Sequence, residues 1–168
     1  MSKSTLEIIN SGKYLESVSS IVKNKSKEGQ IIYITTNRLV KNLIKHFKES
    51  KIQVDKILFI DCISKRVGKI DEEIKNCLFL ESSRSLTSIG LAITQCIKNL
   101  SGKKIVILDS LSTLLIYNDE NTTGRFSNFL INKMKYKEVD FVIFALKIDL
   151  DRKIIKHIVS CSDEVKEW

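Results

Sequence analysis

The chemically most suggestive stretch of the chain is Lys103-Lys-Ile-Val-Ile-Leu-Asp109-Ser110, an aliphatic run that ends in an acid followed by a hydroxyl. A buried strand that delivers a carboxylate to the edge of a sheet puts a hard oxygen ligand where a magnesium ion carrying phosphate oxygens is held. The same ending has a simpler use, because an Asp or Ser at a strand end also caps the helix that follows. Ile57-Leu-Phe-Ile-Asp61 repeats the pattern at a second strand end, so the pattern alone does not select a cation site.

Binding the phosphates themselves calls for G-x-x-x-x-G-K-[ST]. Its glycines let backbone N–H groups approach the phosphates, its lysine neutralises their charge and its hydroxyl ligates magnesium. Three Gly-Lys pairs occur in the chain: Gly12-Lys13, Gly68-Lys69 and Gly102-Lys103. For the first, the upstream glycine position is Glu7 and the hydroxyl position is Tyr14. For the second these are Ile63 and Ile70, and for the third Ile97 and Lys104. None completes the motif.

Other chemistries find less support. Cys62, Cys77, Cys96 and Cys161 are scattered, with no C-x-x-C pair and no histidine at ligand spacing, so reduced and mostly buried thiols and no metal centre are expected. His46 and His157 sit beside lysines in helical stretches, where a solvated role is expected. The formal charge of +8 comes mainly from lysines spread along the whole chain. Such dispersion favours solubility and weak attraction to polyanions over a dedicated nucleic-acid face; the basic helix from Arg38 to Lys48 is the surface nucleic acid would use. No run approaches the ~20 apolar residues of a membrane span, and Met1-Ser-Lys-Ser leads into no secretory hydrophobic run, so the expected location is cytoplasmic, with no membrane partner.

The elements that must position these residues follow from hydrophobic pattern. Short apolar runs alternate with amphipathic stretches, the signature of βαβ units around a parallel sheet. Strands are expected at 31–35, 56–61, 77–80, 104–109 and 141–146, with an edge strand at 163–168. Helices are expected from Asn37, as N-cap, carrying Leu39, Val40, Leu43, Ile44 and Phe47 on one face; from 86 to 100; from Ser110 to about 117; from 125 to 137 with Phe126, Phe129, Leu130 and Met134 inward; and from 151 to 160. Between Leu15 and Ile31 the chain reads as one short amphipathic segment, and 118–124 as a loop. A single domain over 1–168 is expected, an α/β three-layer α-β-α arrangement around a mainly parallel sheet. Ligands of such a sheet bind at the carboxyl strand ends, here around 35–38, 61–65, 80–85, 109–112 and 146–149.

The continuation of the acidic strand, Leu108-Asp-Ser-Leu-Ser-Thr-Leu-Leu-Ile-Tyr-Asn-Asp-Glu-Asn-Thr-Thr-Gly-Arg-Phe-Ser-Asn-Phe-Leu-Ile-Asn-Lys-Met, resembles the KaiC-like branch of the RecA superfamily of ATPases. In that branch the acidic strand runs into D-S-[LI]-[ST]-x-L-L, then a polar loop, then a helix with R-F-x-x-F-L. The late Asp163-Glu-Val also fits that family's order. The resemblance covers about residues 30–168 and is strongest over 104–135. It implies a RecA-like sheet, with Asp109, Ser110, Gly12 and Lys13 as remnants of a nucleotide and magnesium site and a degenerate phosphate-loop region over about 1–30. Where the family carries an acidic pair that activates water, this chain has Thr35-Thr36-Asn37, none of which accepts a proton at neutral pH.

The expectation is therefore a catalytically degenerate RecA/KaiC-like domain acting in regulation or protein interaction, docking on a related ATPase or on a copy of itself, without a cofactor. The alternatives are an ATP binder that uses Ser11-Gly12-Lys13 with Asp109 and magnesium, a receiver-like module using Lys147 after the strand 141–146, and a weak nucleic-acid-binding module.

Overall fold

The computed structural model describes residues 1–68 and 70–168. Lys69, half of one Gly-Lys pair, lies outside the described residues. Seven strands form one sheet: β1 (Ser4–Ile9), β2 (Gln30–Thr35), β3 (Ile57–Asp61), β4 (Cys77–Phe79), β5 (Lys104–Asp109), β6 (Asp140–Leu146) and β7 (Glu164–Glu167), in spatial order β4-β3-β2-β5-β6-β1-β7. Every pairing is parallel. The helices are α1 (Tyr14–Lys25), α2 (Val40–Glu49), α3 (Leu86–Asn99), α4 (Leu111–Tyr117), α5 (Glu120–Tyr136) and α6 (Lys153–Cys161).

Alternation along the strands builds the three layers. In β5, Ile105 and Ile107 point into one core with Tyr14, Val18 and Val22 of α1 and Leu43 and Phe47 of α2. Val106 and Leu108 point into the other, with residues of α3, α4, α5 and α6. A strand buried on both faces must be apolar at successive positions, which is why β5 and β6 read as continuous hydrophobic runs. Connections that move toward β4 carry α1 and α2 on one face, and those that return toward β7 carry α3 to α6 on the other, as right-handed crossovers require.

Four expectations are corrected. No strand was expected before Ile31, yet β1 lies inside the sheet between β6 and β7. Glu7 interrupts its apolar pattern, but this buried carboxylate accepts a 2.6 Å hydrogen bond from the Trp168 indole, which satisfies one of its oxygens. Asn37 does not cap α2. Leu39 is the N-cap residue and offers no side-chain bond; the Val40 N–H donates instead to Asp61 Oδ2 at 2.9 Å. The segment 118–124 is not a loop, because the Asp119 carboxylate accepts from the Thr122 N–H and starts α5 at Glu120. Phe129 does not point inward: it is 54% exposed, with the Lys133 ammonium 5.2 Å above its ring, while Leu130 and Met134 of the same helix are buried.

No helix among the described residues is long and apolar enough to cross a membrane.

Candidate functional site

The sheet order itself selects a location. From β2 the chain moves toward β4, whereas from β5 it moves toward β6, so the connections leaving these two neighbours diverge and leave a crevice beyond their carboxyl ends. The register places Thr35 opposite both Asp109 and Asp61. Thr36 stitches the two strand ends together: its N–H and its hydroxyl both donate to the Asp109 carbonyl, at 2.9 and 2.8 Å, and its Oγ1 accepts from the Ser110 N–H at 3.0 Å. The Asp109–Ser110 peptide is cis.

Asp109 is wholly buried. The Tyr14 hydroxyl donates to its Oδ1, and the Tyr33 hydroxyl donates to Oδ2 at 2.5 Å. Tyr14 is the first residue of α1, and Tyr33 reaches the acid from the neighbouring strand, packed edge-on against Phe47 and Phe144. Burial raises the Asp109 pKa; the two hydroxyl donors and the charge of Arg38 oppose that rise without cancelling it. Burial, followed by the nearby Asp109 charge, pushes both phenols well above their ordinary value, so both keep their protons at neutral pH.

The turn between β1 and α1 is short. Ser11–Lys13 forms one 3-10 turn, the Gly12 N–H donates to the Asn10 side chain at 3.0 Å, and the Lys13 N–H donates to the Asn10 carbonyl at 3.1 Å. Two backbone donors that could face a ligand are thus spent inside the turn. Ser11, Gly12 and Lys13 are all exposed, and Ser11 lines a cavity of about 160 Å³ together with Tyr14, Arg38, Ser110 and Thr113.

Of the four residues singled out from sequence, Asp109 and Ser110 stand at the carboxyl end of β5, by the crevice, while Gly12 and Lys13 are exposed in the turn after β1 and line neither cavity beside Arg38. Ser110 is the N-cap of α4, its Oγ accepting from the Thr113 N–H at 3.2 Å. Asp109 caps nothing, since its carboxylate is directed at the two tyrosines. The second strand-end acid, Asp61, is fully engaged: Oδ1 accepts from the Ile63 and Ser64 N–H groups at 2.7 Å, and Oδ2 from the Ser64 hydroxyl and the Val40 N–H. It holds the β3 turn and the start of α2.

Arg38 is the cation of the crevice. Thr35 fixes its backbone, donating from Oγ1 to the Arg38 carbonyl at 2.6 Å and accepting from its N–H at 3.2 Å. The guanidinium lies 5.3 Å from the centre of the Tyr14 ring, makes no ion pair, and has a buried Nε without a hydrogen-bond partner among the described residues. Tyr14, Tyr33 and Arg38 were not distinguishable as site residues in the sequence. Tyr14 and Tyr33 fall at apolar positions of an amphipathic helix and a core strand, and Arg38 reads as one more basic residue of the helix expected from Asn37.

No group of three or more His, Cys, Asp or Glu able to hold a metal ion occurs among the described residues, and all four cysteines are unpaired.

Among solved structures, the chain is similar to a KaiC-like protein from the hyperthermophilic archaeon Pyrococcus horikoshii OT3, with a TM-score of 0.67 and 11% identity over 97% of this chain and 69% of the other. The fold is RecA-like. No protein-family model and no curated protein sequence matches the chain. The structural likeness bears out the parallel α/β architecture expected from sequence; at this identity it speaks of fold alone.

Proposed function

We propose that this RecA-like domain is catalytically degenerate and works as a regulatory or protein-interaction module, docking on a related ATPase or on a second copy of itself. The observation that carries this reading is the state of Asp109. Both carboxylate oxygens are taken by tyrosine hydroxyls, and phenols that keep their protons are poor company for a divalent cation. Magnesium at Asp109 would require Tyr14 and Tyr33 to withdraw from a buried acid that then lacks any other partner. Three further features agree. The β1–α1 turn spends the Gly12 and Lys13 N–H groups on Asn10, Tyr14 occupies the position of a metal-ligating hydroxyl, and Thr35 and Thr36 stand where an acidic pair would activate water.

The sheet, by contrast, keeps an uninterrupted parallel core that needs no ligand to close it. Loss of a phosphate-binding surface loop leaves such a core intact.

The test is the thermal midpoint with and without Mg·ATP at about 5 mM, together with phosphate release. Binding to the native state alone raises the midpoint by mass action. The expected result is no hydrolysis and no rise in the midpoint that depends on magnesium or on Asp109. A saturable rise that disappears on Asp109→Asn replacement would instead establish the nucleotide-binding alternative through Ser11-Gly12-Lys13.

A further inference from the structure

From the surroundings of Arg38 we infer that the crevice between β2 and β5 binds a phosphate-type oxyanion without a metal, using the Arg38 guanidinium as its positive anchor. A partly buried guanidinium is normally matched by a carboxylate or by a row of carbonyl acceptors. Among the described residues Arg38 makes no ion pair and no side-chain hydrogen bond to a carboxylate, and its Nε is buried without an acceptor. Asp109, a buried acid that feels the Arg38 charge, is already held by Tyr14 and Tyr33. The cation is held in place instead by Thr35 beneath its backbone and by the Tyr14 ring beside its guanidinium.

Two cavities meet at this side chain. One, of about 160 Å³, is lined by Ser11, Ser110 and Thr113; the other, of about 290 Å³, by Asn42, His46 and Leu43; Asn37 and Arg38 line both. Among the described residues, no acidic side chain lines either cavity. Hydroxyl, amide and guanidinium groups around a carboxylate-free opening at a topological switch point suit a small oxyanion. The smaller cavity takes the phosphoryl group, and the larger one takes whatever carries it.

This inference goes beyond the docking role and is tested apart from it, with phosphate alone and no nucleotide, magnesium or protein partner. The thermal midpoint and calorimetric titration are followed as inorganic phosphate is raised to about 10 mM against chloride at constant ionic strength, a condition in which only specific binding to the native state shifts the midpoint. The expected result is a saturable rise for the natural protein. Arg38→Gln should weaken it by about tenfold or more, and Arg38→Lys less, because the point charge remains while the planar fork is lost. Should Arg38→Gln fail to fold, Asn37→Asp answers the same question. Asn37 is exposed, its side chain makes no hydrogen bond among the described residues, and a carboxylate there faces both cavities, so the response should vanish with the fold unchanged. Tighter saturation by glycerol phosphate than by phosphate assigns the group to an ester, and the reverse assigns it to the free ion. Phosphate acting no differently from chloride, or equally on the natural protein and on Asn37→Asp, overturns the inference.

Discussion

Tyr14 and Tyr33 place two neutral hydroxyls on one buried carboxylate, and this makes the centre of the molecule sensitive to single atoms. Replacing Tyr14 by Phe removes only an oxygen but leaves Asp109 Oδ1 buried without a donor, for which the expected loss is about 1–3 kcal/mol of folding stability. Denaturant unfolding of Tyr14→Phe measures it. The same pair sets an alkaline limit. Both phenols are raised in the folded protein, so above about pH 10 the unfolded chain ionises first and binds fewer protons than the native state. Stability is therefore intact below that pH and falls as pH rises toward the folded values. Urea midpoints at about pH 9 and about pH 11 should show this fall in the natural protein and a shallower one in Tyr14→Phe.

At the scale of the element, β7 is joined to β1 through Asp163, whose Oδ2 accepts from the Ser4 N–H and hydroxyl at 2.8 Å while Oδ1 accepts from Lys135 at 3.1 Å. Those bonds, the Ser4 backbone donor foremost, hold the Asp163 carboxyl at about 2. The unfolded carboxyl titrates near 3.9, so the contribution of this clasp is whole above about pH 4 and is lost as pH falls through about 2. Asp163→Asn should flatten the acid limb of the stability profile, and protection of the β7 amides from hydrogen exchange should fall with it. At the amino ends of the interior strands β2 and β5, Gly29 passes so close to Lys103 that an added Cβ would stand 2.5 Å from its carbonyl oxygen. Gly29→Ala should cost about 1–3 kcal/mol, because backbone on both sides must move.

What the sequence told and withheld divides along the same physical lines. Strands β2 to β6 were legible because each is an apolar run bounded by polar turns, and the KaiC-like resemblance beyond Asp109 was matched by a RecA-like fold. Strand β1 was missed because Glu7 breaks its pattern, and the Trp168 partner that makes this tolerable lies 161 residues away. The start of α2 was misplaced for a similar reason, since its cap is Asp61, supplied by another strand. In the crevice, Asp109 was marked by its strand, but the residues that decide its chemistry, Tyr14 and Tyr33, come from other elements.

For the molecule as a whole, the position of β1 has a consequence in time. Its six residues stand near one end of the chain, but its sheet neighbours are β6, beginning at Asp140, and β7, beginning at Glu164. Non-local pairings of this kind close late and slowly, because loop-closure entropy precedes any reward. A fragment ending at residue 139 should therefore lack a stable native fold by circular dichroism and hydrogen exchange. Until β6 emerges from the ribosome, β1 is an apolar segment with nowhere to pair, and its company during synthesis must be other parts of the unfinished chain, or a chaperone.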